Sequence, residues 1–337
     1  MKQYLFLTIA IFLSVGAYFG FMSLQMAPPP PVIDYFQDDN LSVITLDKAP
    51  VAKLSAVGKL SGRLGNAGQK INNNGTDVNF QNKDDASEYL ISNSAKGRLS
   101  FSKSTKNYGD DFKPRLLDAG QAQKNAEKFL AENDLNPKNL SELKLVHAGG
   151  LRASSADDGQ IIDKMQTFTY GRVLNGIPVS GNGSRIVVNV GDKGEVLGVS
   201  KTWKEVSPNT KARVVNKTEL KSQADAQKEF GQLVNMNFGA GVSPEIKSIQ
   251  KMYYDGGDNF IQPAYFFETI VTVTGENGKK EKQPFLGVVP MLKTAPEAIN
   301  PNPAEVKNIA KQAQIGQTNK DPNLKNKADE RSGNDNK

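Results

Sequence analysis

Between Thr167 and Trp203 the chain alternates apolar with polar residues three times over, and each alternation ends in a turn signal. Phe168 and Tyr170 lead to Asn175 and Gly176, a turn pair, before Ile177 and Val179. Gly181-Asn182-Gly183 then reverses the chain into Arg185 to Val190, and Asp192-Lys193-Gly194 reverses it again into Val196 to Trp203. Period-two alternation broken by Asn-Gly and Lys-Gly turns predicts consecutive antiparallel strands. The stretch supplies a scaffold and no group that performs chemistry.

The N-terminus sets a different constraint. Tyr4 to Met26 is mostly apolar and carries no charge, which at about 20 residues per span is long enough for a transmembrane helix. A cleaved signal peptide is the competing reading, with Ala27 as its best small-residue site. Gln25 before it and Pro28 after it disfavour cleavage, so a transmembrane signal anchor over residues 1–27 is preferred. Lys2 precedes the apolar run while Asp34, Asp38 and Asp39 follow it. That bias places the bulk of the chain outside the cytoplasm, in a single-pass membrane protein. Pro28 to Pro31 open a Pro-rich spacer, 28–40. The absence of cysteine excludes disulfides and thiol chemistry.

Further along, residues 41–116 are rich in Asn, Gly and Ser and read as a loop-rich β region, with a long polar loop from Gly65 to Asn82. Asp118 then caps a helix whose Ala122, Ala126, Phe129 and Leu130 share one face. Strands are expected at Leu143–Ala148, Met165–Leu174, Ser184–Val190 and Val196–Trp203. The order repeats downstream: Thr218 caps a helix bearing Leu220, Ala224, Ala226, Phe230 and Leu233. Strands follow at Ile246–Tyr254, Phe260–Val273 and Gln283–Leu292. The fold class expected is α+β: the N-terminal transmembrane helix, then two tandem units, 117–206 and 215–293. Each would lay one helix on a small antiparallel sheet. Residues 294–337 read as a disordered polar tail.

The helix followed by Tyr170-Gly-Arg-Val-Leu-Asn-Gly-Ile-Pro-Val179, with a later strand at Gly194 to Val196, resembles the PepSY superfamily. Its relatives include the fungalysin and thermolysin propeptide domains. The second unit is similar, with Tyr253-Tyr254, Gln262 to Tyr265 and Phe285 to Pro290 in the later-strand positions. An anchor followed by tandem units also resembles the Yyc-type membrane-anchored accessory proteins that restrain a wall-monitoring sensor kinase. No catalytic domain follows, unlike in the peptidase precursors. The resemblance implies inhibition or regulation through protein contact.

Chemistry is sparse in the remaining motifs. The chain has one histidine, His147, so a two-imidazole zinc site is impossible within it; a Ser-His-Asp triad would have to use His147, yet no Gly-x-Ser-x-Gly elbow is present, and a structural role is expected. Ser-x-x-Lys occurs at Ser100/Lys103, Ser141/Lys144 and Ser248/Lys251 without companion motifs. Paired acids at Asp38-Asp39, Asp84-Asp85, Asp110-Asp111 and Asp157-Asp158 read as solvated turns, and Asp255 to Asn259 at most as a weak calcium loop. Gly181-x-Gly183 and Gly239-x-Gly241 lack the third glycine of a dinucleotide fingerprint. The net charge of +6 is spread among both signs, with no basic-aromatic motif for nucleic acid. No catalytic, cofactor-binding or metal-binding residue is assigned, and no cofactor is expected.

Phe168, Tyr170 and Trp203 are expected in the first core. Tyr253, Tyr254, Tyr265, Phe266 and Phe267 hold too many aromatics for one sheet face. They fill two opposed cores or form an exposed patch, and as a patch they are the candidate partner surface. The function expected is that of a non-catalytic, membrane-tethered extracytoplasmic module that binds and regulates another envelope or membrane protein. The rival is a propeptide-like inhibitor or folding helper of a secreted metallopeptidase.

Overall fold

A computed structural model describes residues 29–36, 41–47, 54–63, 72–73, 77–109, 112–154, 160–208, 212–274 and 278–299. In chain order its elements begin with β1 (Val32–Asp34), β2 (Ser42–Thr45), α1 (Leu54–Arg63), β3 (Asn72–Asn73), β4 (Asp77–Gln81), β5 (Tyr89–Asn93) and β6 (Arg98–Ser102). There follow α2 (Ala119–Glu132), β7 (Leu143–Ser154), β8 (Ile161–Leu174), β9 (Ile177–Ser180), β10 (Ser184–Val190) and β11 (Val196–Trp203). The last are β12 (Arg213–Val214), α3 (Gln223–Phe238), β13 (Glu245–Asp255), β14 (Phe260–Thr274) and β15 (Lys280–Pro290).

All fifteen strands belong to one mixed sheet, which corrects the expected fold class. The joint is β9. After the tight turn at Asn175 (φ 51°) and Gly176 (φ 84°) it pairs antiparallel with β8, and its far end pairs parallel with β13 through Val179 and Tyr253. Two small sheets thereby become one. Helix α2 lies over β8, β10 and β11, and α3 over β14 and β15. Each covers a separate core. Phe101, Phe129, Phe168, Tyr170 and Trp203 sit in the first, and Phe230, Tyr253, Tyr265 and Phe267 in the second.

The region before α2 is divided between these cores instead of forming its own. Val78 and Phe80 of β4, inside the stretch read as a loop, alternate inward and extend the first half through β5 and β6. Val57 and Leu60 of α1, a helix the sequence reading omitted, join them. The Pro-rich spacer is no free spacer at its described residues: β1 pairs with β13, and Phe36 meets Tyr253 edge-on at 5.0 Å. β2 pairs with β14.

Helix α2 starts at its cap, with Gln121 N donating to Asp118 Oδ1 at 3.0 Å. α3 starts later than expected. Asn216 and Glu219 form a capping box on a single 3-10 turn that holds Thr218, and Ser222 then caps α3 by accepting from Asp225 N at 3.1 Å. Leu220 therefore sits outside the helix and bridges to Leu292. Two caps in succession split what looked like one helix start. The tail reading is also corrected for 294–299: Ile299 packs on Met252 and Phe266.

No helix among the described residues is long and apolar enough to cross a membrane. The transmembrane helix, signal anchor and membrane tether are therefore withdrawn from the fold. The stretch from Tyr4 to Met26 on which they rested lies outside the described residues, as does the segment after Ile299.

Candidate protein-binding edge

Strand β7 pairs with β8 alone, so its other edge carries no strand among the described residues. A strand edge is a row of unpaired N–H and C=O groups, a template for another chain. The pairing register assigns the side chains to faces, because residues directly opposite share a face. Leu145, Ala148 and Gly150 stand opposite Tyr170, Phe168 and Gln166, on the side that α2 covers. Lys144, His147, Gly149, Leu151 and Arg152 stand opposite Gly171, Thr169, Thr167, Met165 and Asp163, on the uncovered side. Bulges interrupt the ladder after Leu145 and after Leu151.

The sequence of β7 explains why no helix among the described residues packs closely on it. α2 reaches β8 and its neighbours on the other side, and the glycine pair leaves the middle of β7 without side chains for it to pack. Val146 is 58% exposed and Leu151 39%, unusual for apolar residues of a twelve-residue strand. Gly150 is obligatory, since a Cβ there would collide with the Met165 carbonyl. At Gly149 the His147 ring fills the space that a Cβ would take, with Nε2 2.6 Å from that point. His147 itself is exposed in mid-strand, not a packed strand-end residue.

Behind the root of β7 lies a buried ionic cluster that joins the two halves. Arg172 of β8 has a fully buried side chain, its guanidinium over the Trp203 ring at 4.1 Å. Its Nε lies 3.1 Å from Glu142 Oε2, just before β7, and its Nη1 3.8 Å from Asp255 Oδ2, at the end of β13. Neither contact is aligned as a hydrogen bond, whereas Nη2 donates to the Lys204 carbonyl. Asp255 also accepts from Ser184 Oγ and, at 2.8 Å, from Gly257 N. Burial pushes the Glu142 and Asp255 carboxyls above the usual range, against the pull of Arg172 on both and of Ser184 on Asp255. Burial also lowers Arg172, opposed by Glu142 and Asp255. Gly181 and Gly183 pack so closely on Asp255 that a Cβ at either would collide with it. The glycines read as a turn thus serve this contact, and the loop read as a calcium candidate begins with a structural carboxylate.

The other sequence candidates are dispersed. Four of the five aromatics proposed as a partner surface are buried, so they do not form one. Tyr253, Tyr265 and Phe267 face α3, while Phe266 lies on the opposite face with half-buried Tyr254. The Ser-x-x-Lys pairs do not meet. Lys103 pairs with Glu195 and Lys251 with Asp34, and Ser248 donates to Glu268 at 2.6 Å. In a strand, positions three apart point to opposite faces. Asp85 is held by Ser104 and Ser87 hydrogen bonds, which lower its carboxyl. The acid pairs at 38–39, 110–111 and 157–158 lie outside the described residues. No group of three or more His, Asp or Glu among the described residues is placed to hold a metal. What sequence reasoning missed was β7 as an edge, for which Gly149-Gly150 inside an apolar strand was the available signal.

No family model matches the chain, and no curated protein does. Among solved structures it is similar to a crystal structure of an uncharacterized protein from Eubacterium rectale ATCC 33656, with 11% identity and a TM-score of 0.49. The alignment covers 80% of this chain and 90% of that one. At that level it carries no argument about fold or function, and nothing in it bears on the PepSY resemblance.

Proposed function

We propose that this protein is a non-catalytic recognition module that binds and regulates another protein by accepting one of its strands along β7. The observation that carries the reading is a twelve-residue strand with one edge unpaired among the described residues and exposed apolar side chains at Val146 and Leu151. Strand addition draws affinity from main-chain hydrogen bonds and selectivity from alternate side chains. The ionic cluster supports this use by fixing β7 at its root, since Glu142 ties the strand's start to Arg172 in the core. A preformed edge spares the binder part of its ordering cost.

The test is site-specific photocrosslinking in cells. A photoreactive residue at Val146 or Leu151 should trap one discrete protein, while the same residue at exposed Leu286 of β15 should trap none. Equal crosslinking from both strands, or none from β7, removes the proposal.

A further inference from the structure

Five strands expose the uncovered face of the first half, and the ladder aligns their residues in rows. One row runs Lys144 in β7, Gly171 in β8, Arg185 in β10, Thr202 in β11 and Arg98 in β6. With neighbouring strands about 4.8 Å apart, the three cations repeat at roughly 10 Å. None of the three has an ion-pair partner among the described residues, and Lys144 and Arg98 are exposed. Asp163 is the sole acid on this face of β6, β7, β8, β10 and β11, and it is committed to Arg152 at 2.6 Å. The next row brings His147 beside Thr169, Val187, Ser200 and Ser100, which adds no negative charge.

Resting on the strand-addition reading above, we infer that the added strand is acidic on its outer face, with a carboxylate in the Lys144 row and an apolar side chain against the His147 ring that lies over Gly149. Opposite charges directly across a ladder stabilise it, and like charges oppose it. The carboxylate would lie next to Lys144 and within a few strand spacings of Arg185, with no acid in the row to repel it. The His147 ring occupies the space over Gly149, and on this exposed face it gives the apolar residue a flat surface to pack against. A second copy of β7 fits this role poorly, because Leu143–Ser154 holds Lys144, His147 and Arg152 and no acid.

The test uses the full-length chain and a fluorescein-labelled peptide of about eleven residues, long enough at ~3.3 Å per residue to run along β7. It alternates Thr and Val, with Glu near both ends and Phe at its centre; a control carries Lys in place of Glu. The Glu peptide should slow amide exchange over residues 143–152 and bind at least about tenfold more tightly than the Lys peptide, with affinity falling as salt rises. The double variant Lys144→Glu, Arg185→Glu should reverse that preference while leaving the unfolding midpoint unchanged. If both peptides protect β7 equally, strand addition stands and the acidic partner is overturned. If neither protects β7, both readings fall. Protection that appears on raising protein concentration alone makes a second copy the occupant and overturns the inference. So does competition by inorganic polyphosphate that leaves β7 unprotected, which would assign the cations to a polyanion lying on the face.

Discussion

Among the described residues strands β7 and β15 each pair on one side only, β7 with β8 and β15 with β14, yet they are finished differently. β15 runs eleven residues in unbroken register, carries Lys280, Lys282, Pro284 and Pro290, and lies under α3. Lysine and proline are devices that stop a sheet edge from recruiting another chain, and proline is tolerated only where no ladder bond is needed. The Phe230 ring seals the position further by filling the space over Gly287. β7 carries Lys144, Arg152 and two bulges, but it has no proline and, among the described residues, no covering helix, and its centre is Gly149-Gly150. Its bulges restrict pairing to short runs, the longest regular stretch being His147 to Leu151. The contrast teaches that this chain has the means to close an edge and, among the described residues, leaves one uncovered.

The largest effect should come from cutting the root of the open edge. Glu142→Ala leaves Arg172, with no exposed side-chain surface, without one of its two carboxylates. Removing one partner of a buried ion pair costs about 3–5 kcal/mol, read as a lowered urea midpoint. Amide exchange should quicken first at Leu143–Leu145, before β15 is affected. Uniform exchange across both strands would mean that β7 is not separately anchored.

The same carboxylate gives the comparison a pH axis. Burial raises Glu142 above its ordinary 4.5 in the folded protein, so the native state takes up this proton before the unfolded chain does. The folded state therefore gains stability from the group as pH falls through the raised value. The gain is complete below 4.5 and is lost again as pH rises. Glu142→Gln, which cannot titrate, should lose ground to the wild type over that window in urea titrations. A constant difference between the two from pH 7 to pH 4 would contradict the buried, raised carboxyl.

Next in size is a change on the closed edge. In Gly287→Ala the new methyl meets Phe230, which stacks on Phe267 at 4.6 Å and is itself 1% exposed. The ring has nowhere to turn, and overpacking of this kind costs about 1–3 kcal/mol. The loss should appear as faster exchange in α3 and β15 with β7 unchanged. A neutral result would show that α3 does not seal β15.

How much of this contrast could be read beforehand depends on how local each signal is. The β8–β9 and β10–β11 reversals were legible because Asn175, Gly176, Lys193 and Gly194 adopt positive φ, which their residue types advertise. The inward set Ala122, Ala126, Phe129 and Leu130 was legible from helical spacing. The joining of the halves was not. It depends on a parallel pair between β9 and β13 and on contacts such as Arg172 to Asp255, which no local pattern encodes. Arg172 and Asp255 looked like ordinary strand and turn charges, since their burial follows from packing between elements 71 residues apart at Ser184 and Asp255. The aromatic run from Tyr265 to Phe267 was ambiguous for a related reason. Alternation fixed which rings oppose one another, and only the positions of α3 and Ile299 decided that both faces are covered.

The smallest effect on stability should accompany the sharpest effect on recognition. Val146→Lys puts a charge on a side chain that is already 58% exposed, and surface changes of this kind stay within about 0.5 kcal/mol. The lysine would stand in the face occupied by Lys144 and beside Gly171, where Val146 now lies. The substitution removes the exposed apolar surface that Val146 offers an added strand, so binding at β7 should weaken with the unfolding midpoint unmoved. Leu286→Lys is the matched change on β15, 51% exposed and opposite Glu268. It should alter neither quantity, because that edge is already closed to partners. If the two substitutions behave alike in a binding assay, the exposed apolar residues of β7 and β15 are equivalent surface and the difference between the edges has no functional consequence.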